Sequence, residues 1–132
     1  IVVDLERMAD HAKGIAKTVM LTANEPSFPP APDLRRMSEL VQRMLDQGLR
    51  AFAETDVELA QQVCASDDEV DHLYKQFFNV MLSYMLEDPR SIARATYLLW
   101  IAHNLERVAD LVTNIGERVI YYATGHMQDT NF

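Results

Sequence analysis

Three times in this 132-residue chain an acidic residue is followed four positions later by aspartate: Glu6–Asp10, Asp67–Asp71 and Glu106–Asp110. Residues i and i+4 of a helix share a face, so each pair presents two carboxylates together. Two like charges at that spacing repel mildly, and several pairs brought together cannot all stay ionised unaided: either some protonate or cations bind among them. An all-oxygen donor set suits hard ions such as magnesium, calcium, manganese or oxidised iron better than a thiolate-type zinc site. The bland alternative is a solvated acidic stripe balanced by Arg107 and Lys75.

Whether the pairs meet depends on the elements that carry them. Asp88-Pro89 reads as a helix N-cap followed by proline at the first helical position, where the missing N–H costs nothing. A turn centred there makes the flanking helices antiparallel, with facing residue numbers that add to about 177. Asp71 then lies level with Glu106, and Asp67 level with Asp110, roughly 26 Å from the turn at 1.5 Å per residue. The turn is placed by capping chemistry and not by the acids, so the match in level is an independent check. It fixes height and leaves azimuth open. His103 and Tyr74 lie near this level on one side and Asn114 on the other, available as supporting groups. His11 follows Asp10 directly and is expected to flank that face; His72 reads as an ordinary surface residue.

Four of the five prolines fall between Pro26 and Pro32, which excludes a helix interior and predicts a stiff linker over 23–32. Before it, 1–22 reads as one helix. After it, Asp33 is a plausible N-cap, and Leu34, Met37, Leu40, Val41, Met44, Leu45 and Phe52 recur on one helical face. Thr55-Asp56 signals a second start, from which Leu59, Val63, Val70, Leu73, Phe77 and Tyr84 keep helical period; Gly125 ends the third element. The expected helices span about 33–54, 56–87 and 89–124, and no alternating strand pattern occurs. Residues 1–20 also align without a gap on 101–120: Ile1, Leu5, Glu6, Arg7, Ala9, Asp10, Ile15 and Val19 each recur one hundred positions later. The predicted fold is therefore all-α: an antiparallel three-helix bundle over 33–132, preceded by the last helix of another repeat. Beginning at Ile1 inside a helix, the chain reads as a fragment of something longer.

A net charge of −8 argues against nucleic-acid binding through phosphate neutralisation and suits cations or a basic partner. Phe77 to Leu86, the longest nearly apolar run, is too short to span a bilayer, and no signal segment opens the chain. One cysteine, Cys64, forms no intramolecular disulfide and fits a reducing cytoplasm. No serine–histidine or cysteine–histidine arrangement is evident, and four glycines supply no phosphate loop, so an enzyme is not expected. The seven methionines fall mostly at core spacing.

Leu5-Glu6-Arg7-Met8-Ala9-Asp10-His11-Ala12 and Asn104-Leu105-Glu106-Arg107-Val108-Ala109-Asp110 resemble the hallmark helix of the PhoU family, which occurs once in each of two three-helix repeats. Ala9 and Ala109 replace a usual glycine, and Leu111 replaces a histidine; the acids are kept. The resemblance covers essentially the whole chain. It implies a non-enzymatic, cytoplasmic regulator that represses the phosphate-starvation response, bridging the phosphate ABC transporter's ATPase subunit and a phosphate-sensing histidine kinase. Membrane association would run through these partners, and a homodimer is one assembly it allows. It also implies metal ions on the acid motifs (iron, zinc, manganese or magnesium). Asp67, Asp71, Glu106 and Asp110 would form the complete site, and Glu6 and Asp10 half of another whose partner acids would precede Ile1. One alternative is a metal-free helical scaffold whose acidic face docks a basic partner. A remoter one, a di-iron carboxylate oxidase, needs two Glu-x-x-His helices, and only Glu69–His72 fits.

Overall fold

In a computed structural model of the chain, residues 1–23 and 31–125 are described. They form four α-helices: α1 (Val2–Thr22), α2 (Pro32–Glu54), α3 (Val57–Glu87) and α4 (Ile92–Thr124). A 3-10 turn at Pro89–Ser91 precedes α4. Helices α2, α3 and α4 pack mutually as an antiparallel bundle, and α1 lies against α4. Most of the expected linker, residues 24–30, falls outside the described residues.

Helix ends follow local chemistry. Thr55 adopts a left-handed φ of 52° and stops α2. Asp56 then starts α3, its side chain accepting the Leu59 N–H at 3.0 Å. Asp88 caps the 3-10 turn through the Arg90 N–H at 3.0 Å, and Gly125, at φ 75°, ends α4. The expected cap at Asp33 is corrected. Ala31 holds the N-cap position and Pro32 is the first helical residue, because its fixed φ and absent N–H suit that place. Asp33 sits inside the first turn, where its charge still complements the helix dipole.

The predicted apolar faces meet in one core, with Met37, Met44, Val63, Val70, Phe77, Met81, Val112 and Ile115 almost fully buried. Phe52 departs from the expectation and is 40% exposed, while Gly48 and Ala51 take the inward positions. Small residues are needed there: a Cβ on Gly48 would lie 2.8 Å from Val112 Cγ1. Gly116 plays the same part between α3 and α4, where a Cβ would meet Cys64 Sγ at 3.0 Å and the Ala60 carbonyl at 3.2 Å. The first approach holds α2 close to α4, and the second holds α3 close to α4 below the acid motifs. At the other end Phe77 fills the seam, and Phe77→Ala should cost about 3–5 kcal/mol, read as a lower urea midpoint.

Polar bonds fix α1 on α4. Asp4, 3% exposed, is ion-paired to Arg118 at 2.9 Å. His11 Nδ1 lies 2.8 Å from the Asn104 side-chain oxygen, whose amide nitrogen donates to the Trp100 carbonyl at 2.9 Å. Arg94 donates to the Thr22 carbonyl at 2.7 Å. His11 thus does more than flank the acid face; it ties two helices together.

Candidate metal centre

The azimuth that numbering left open is settled by the packing. Asp67 and Asp71 from α3 and Glu106, Asp110 and Asn114 from α4 line one hollow of about 440 Å³. The i, i+4 spacing stacks each pair, and the α3–α4 seam turns both inward. Asp67 is deepest, at 9% exposure, and its Oδ1 is buried with no hydrogen-bond partner. Asp71 and Glu106 are half-buried, while Asp110 and Asn114 stand at the open rim.

Crowding shows in the protonation behaviour. Burial, then the charges of Asp110 and Asp71, push the Asp67 carboxyl up to about 6. Burial, a proton shared with Asp71 and the neighbouring acids push Glu106 up to about 7. Asp110 is raised by burial and by Asp71, with Arg107 and His103 offsetting part of the rise. The Tyr74 hydroxyl is raised by burial and by Glu106, which places it beside the cluster.

Of the supporting groups expected, Asn114 lines the hollow, while Tyr74 and His103 act on it from its flanks. His103 also stacks near Trp100, with ring centres 5.8 Å apart. Glu6 and Asp10 are exposed on α1 and do not join these four acids. Glu69 and His72 are exposed as well, and His72 pairs with Gln76 at 3.1 Å. Cys64 offers no thiolate: burial and the charge of Glu117 push its thiol up to about 11. Asp4 is the polar residue that sequence reasoning missed. Its one signal is the internal repeat, which aligns it with Asn104, also buried and also bridging α1 and α4.

The donor set fits a hard cation. An orphaned buried carboxylate oxygen is costly, and a cation beside it would remove that cost together with the repulsion. Among the described residues no three His, Cys, Asp or Glu side chains converge as a ready-made coordination sphere. The arrangement is an open acidic cleft whose carboxylates must rotate to close on an ion. Such an ion would be held by Asp67, Asp71, Glu106 and Asp110, and would supply fixed positive charge between α3 and α4.

Residues 34–119 match the PhoU domain family model. The chain is 46% identical to the phosphate-specific transport system accessory protein PhoU homolog of Zymomonas mobilis, over 92% of this chain and 51% of that protein. To the corresponding protein of Clostridium acetobutylicum it is 38% identical, over 99% of this chain and 60% of that one. The crystal structure of PhoU from Pseudomonas aeruginosa superposes with a TM-score of 0.91 at 37% identity, covering 95% of this chain and 60% of that one. The chain thus spans about half to three-fifths of the length of these relatives. Fold, repeated motif and family match agree, and the chain belongs to the PhoU family.

Proposed function

We propose that this protein regulates phosphate uptake and phosphate-starvation signalling as a non-catalytic, metal-binding helical adaptor. Its partners on this reading are the ATPase subunit of a phosphate ABC transporter and a phosphate-sensing histidine kinase, met at the cytoplasmic face of the membrane. The relatives' role as phosphate transport accessory proteins supports the regulatory part. The observation that carries the metal part is the buried, unpartnered Asp67 oxygen inside a hollow of four carboxylates. A cation there would lock α3 to α4 and present a rigid face to a partner. No helix among the described residues is long and apolar enough to cross a membrane, in keeping with association through partners.

The test is complementation in the native host with the gene deleted, read through a phosphate-responsive reporter. The full gene should restore repression in high phosphate, and the same gene carrying Asp67→Ala and Glu106→Ala should not. No restoration by the unaltered gene would overturn the regulatory reading. Full restoration by the acid variant would leave the fold as a regulator and show that repression does not depend on these acids.

A further inference from the structure

A second hollow, of about 310 Å³, lies between α1 and α4 and is lined by Arg7, His11, Arg107, Asp110, Leu111 and Asn114. Its position follows from the internal repeat. The His11–Asn104 and Thr22–Arg94 bonds show that facing residues of α1 and α4 have numbers adding to about 115. Two copies of one motif, offset by a hundred residues and packed antiparallel, then cross near residues 7 and 107. Arg7 and Arg107, the same motif position in each copy, are thereby brought to one local two-fold, with His11 and Leu111 as the next matched pair.

Neither guanidinium forms an ion pair within 4.0 Å among the described residues, whose salt bridges involve Arg50, Arg90, Arg118 and the N-terminus; Arg107 interacts with the Asp110 charge only at longer range. Two forked, permanently charged donors across one concavity suit a tetrahedral oxyanion, which each can grip through two N–H groups. Asn114 adds an amide, and the apolar Leu111 side lowers the competition from water. The one opposing charge is Asp110, on the rim shared with the carboxylate hollow. Two guanidiniums against one carboxylate leave the wall cationic in a protein whose overall charge is −8.

We propose that Arg7 and Arg107 form a binding site for a small tetrahedral oxyanion, inorganic phosphate being the candidate chosen on the strength of the regulatory function above. The site would allow the protein to sense the anion directly, at the seam between its two motif helices.

Equilibrium dialysis of the chain with labelled inorganic phosphate, in the presence of chelator, tests this free of any metal-bridged phosphate. Saturable binding near one per chain is expected, weakened about tenfold or more by either Arg7→Gln or Arg107→Gln, in line with the loss of one charge-assisted pair. Arg43→Gln, at an exposed position on α2, should leave it unchanged. Displacement by sulfate at similar concentration would assign the site to oxyanions generally; resistance to sulfate would assign it to phosphate. Absence of saturable binding, or equal weakening by all three substitutions, would overturn the proposal. Either of those results alongside normal reporter repression would sink the oxyanion site and leave the regulatory reading standing.

Discussion

Asp67→Ala combined with Glu106→Ala should abolish metal uptake while the four helices persist. The two residues contribute from opposite sides of the α3–α4 seam, one the deepest carboxylate and the other the most strongly proton-holding. Removing both leaves Asp71 and Asp110, each partly open to water, which is too few fixed oxygens for a hard ion that seeks six or more. The fold should survive because neither side chain belongs to the apolar core, and because deleting crowded acids relieves repulsion. Loss of metal beyond a hundredfold in affinity, with an unchanged far-ultraviolet circular dichroism spectrum, is the expected pair of results. Retained metal at full stoichiometry would sink the site assignment.

The second large effect concerns stability against pH in the metal-free protein. Asp67 holds its proton up to about 6 in the folded state, against an ordinary 3.8. The folded chain therefore binds more protons than the unfolded one across that interval, so stability falls as pH rises. The contribution is fully present below about pH 4 and lost as pH climbs through 6 and 7, with Glu106, near 7, acting in the same direction. The Asp67 gap corresponds to at most roughly 3 kcal/mol, and water at the open rim brings it nearer to about 2 kcal/mol. Asp67→Asn, which cannot ionise, should raise the melting temperature at pH 8 in chelator by roughly 5–10 °C and flatten the decline above pH 5. The same substitution should impair metal binding, because it removes one negative ligand. Metal affinity of the unaltered protein should rise over this pH range, since the protons must leave before an ion can bind. A melting temperature at pH 8 that is unchanged or lowered by Asp67→Asn would show that crowding does not govern this cluster.

Much of this molecule is legible from sequence, for reasons that individual residues make plain. Asp56, Asp88 and Gly125 mark helix ends because capping is local chemistry. The meeting of Asp67 and Asp71 with Glu106 and Asp110 is legible in level, because one tight turn sets the register of two long helices. Their convergence in azimuth is not, since it depends on how closely α3 approaches α4, and that is decided by the absence of a Cβ at Gly116. Phe52 misleads for a related reason: periodicity ranks it above Gly48 and Ala51, but backbone proximity leaves room inside only for the smaller residues. Asp4 is invisible to a search for acid pairs, because its partner Arg118 lies at the far end of the chain. The meeting of Arg7 and Arg107 is implicit in the repeat and becomes readable only once α1 and α4 are known to pack antiparallel.

The central claim, that the carboxylate hollow serves a cation, is tested most directly by elemental analysis of the purified chain. The protein should be prepared without added metal, chelator or affinity metal, so that it reports what the cell supplied. Iron, zinc, manganese or magnesium at or above about one ion per chain is the expected result. A folded protein that carries no metal, and takes up none when these ions are offered, would contradict the claim and turn the acids into a docking surface.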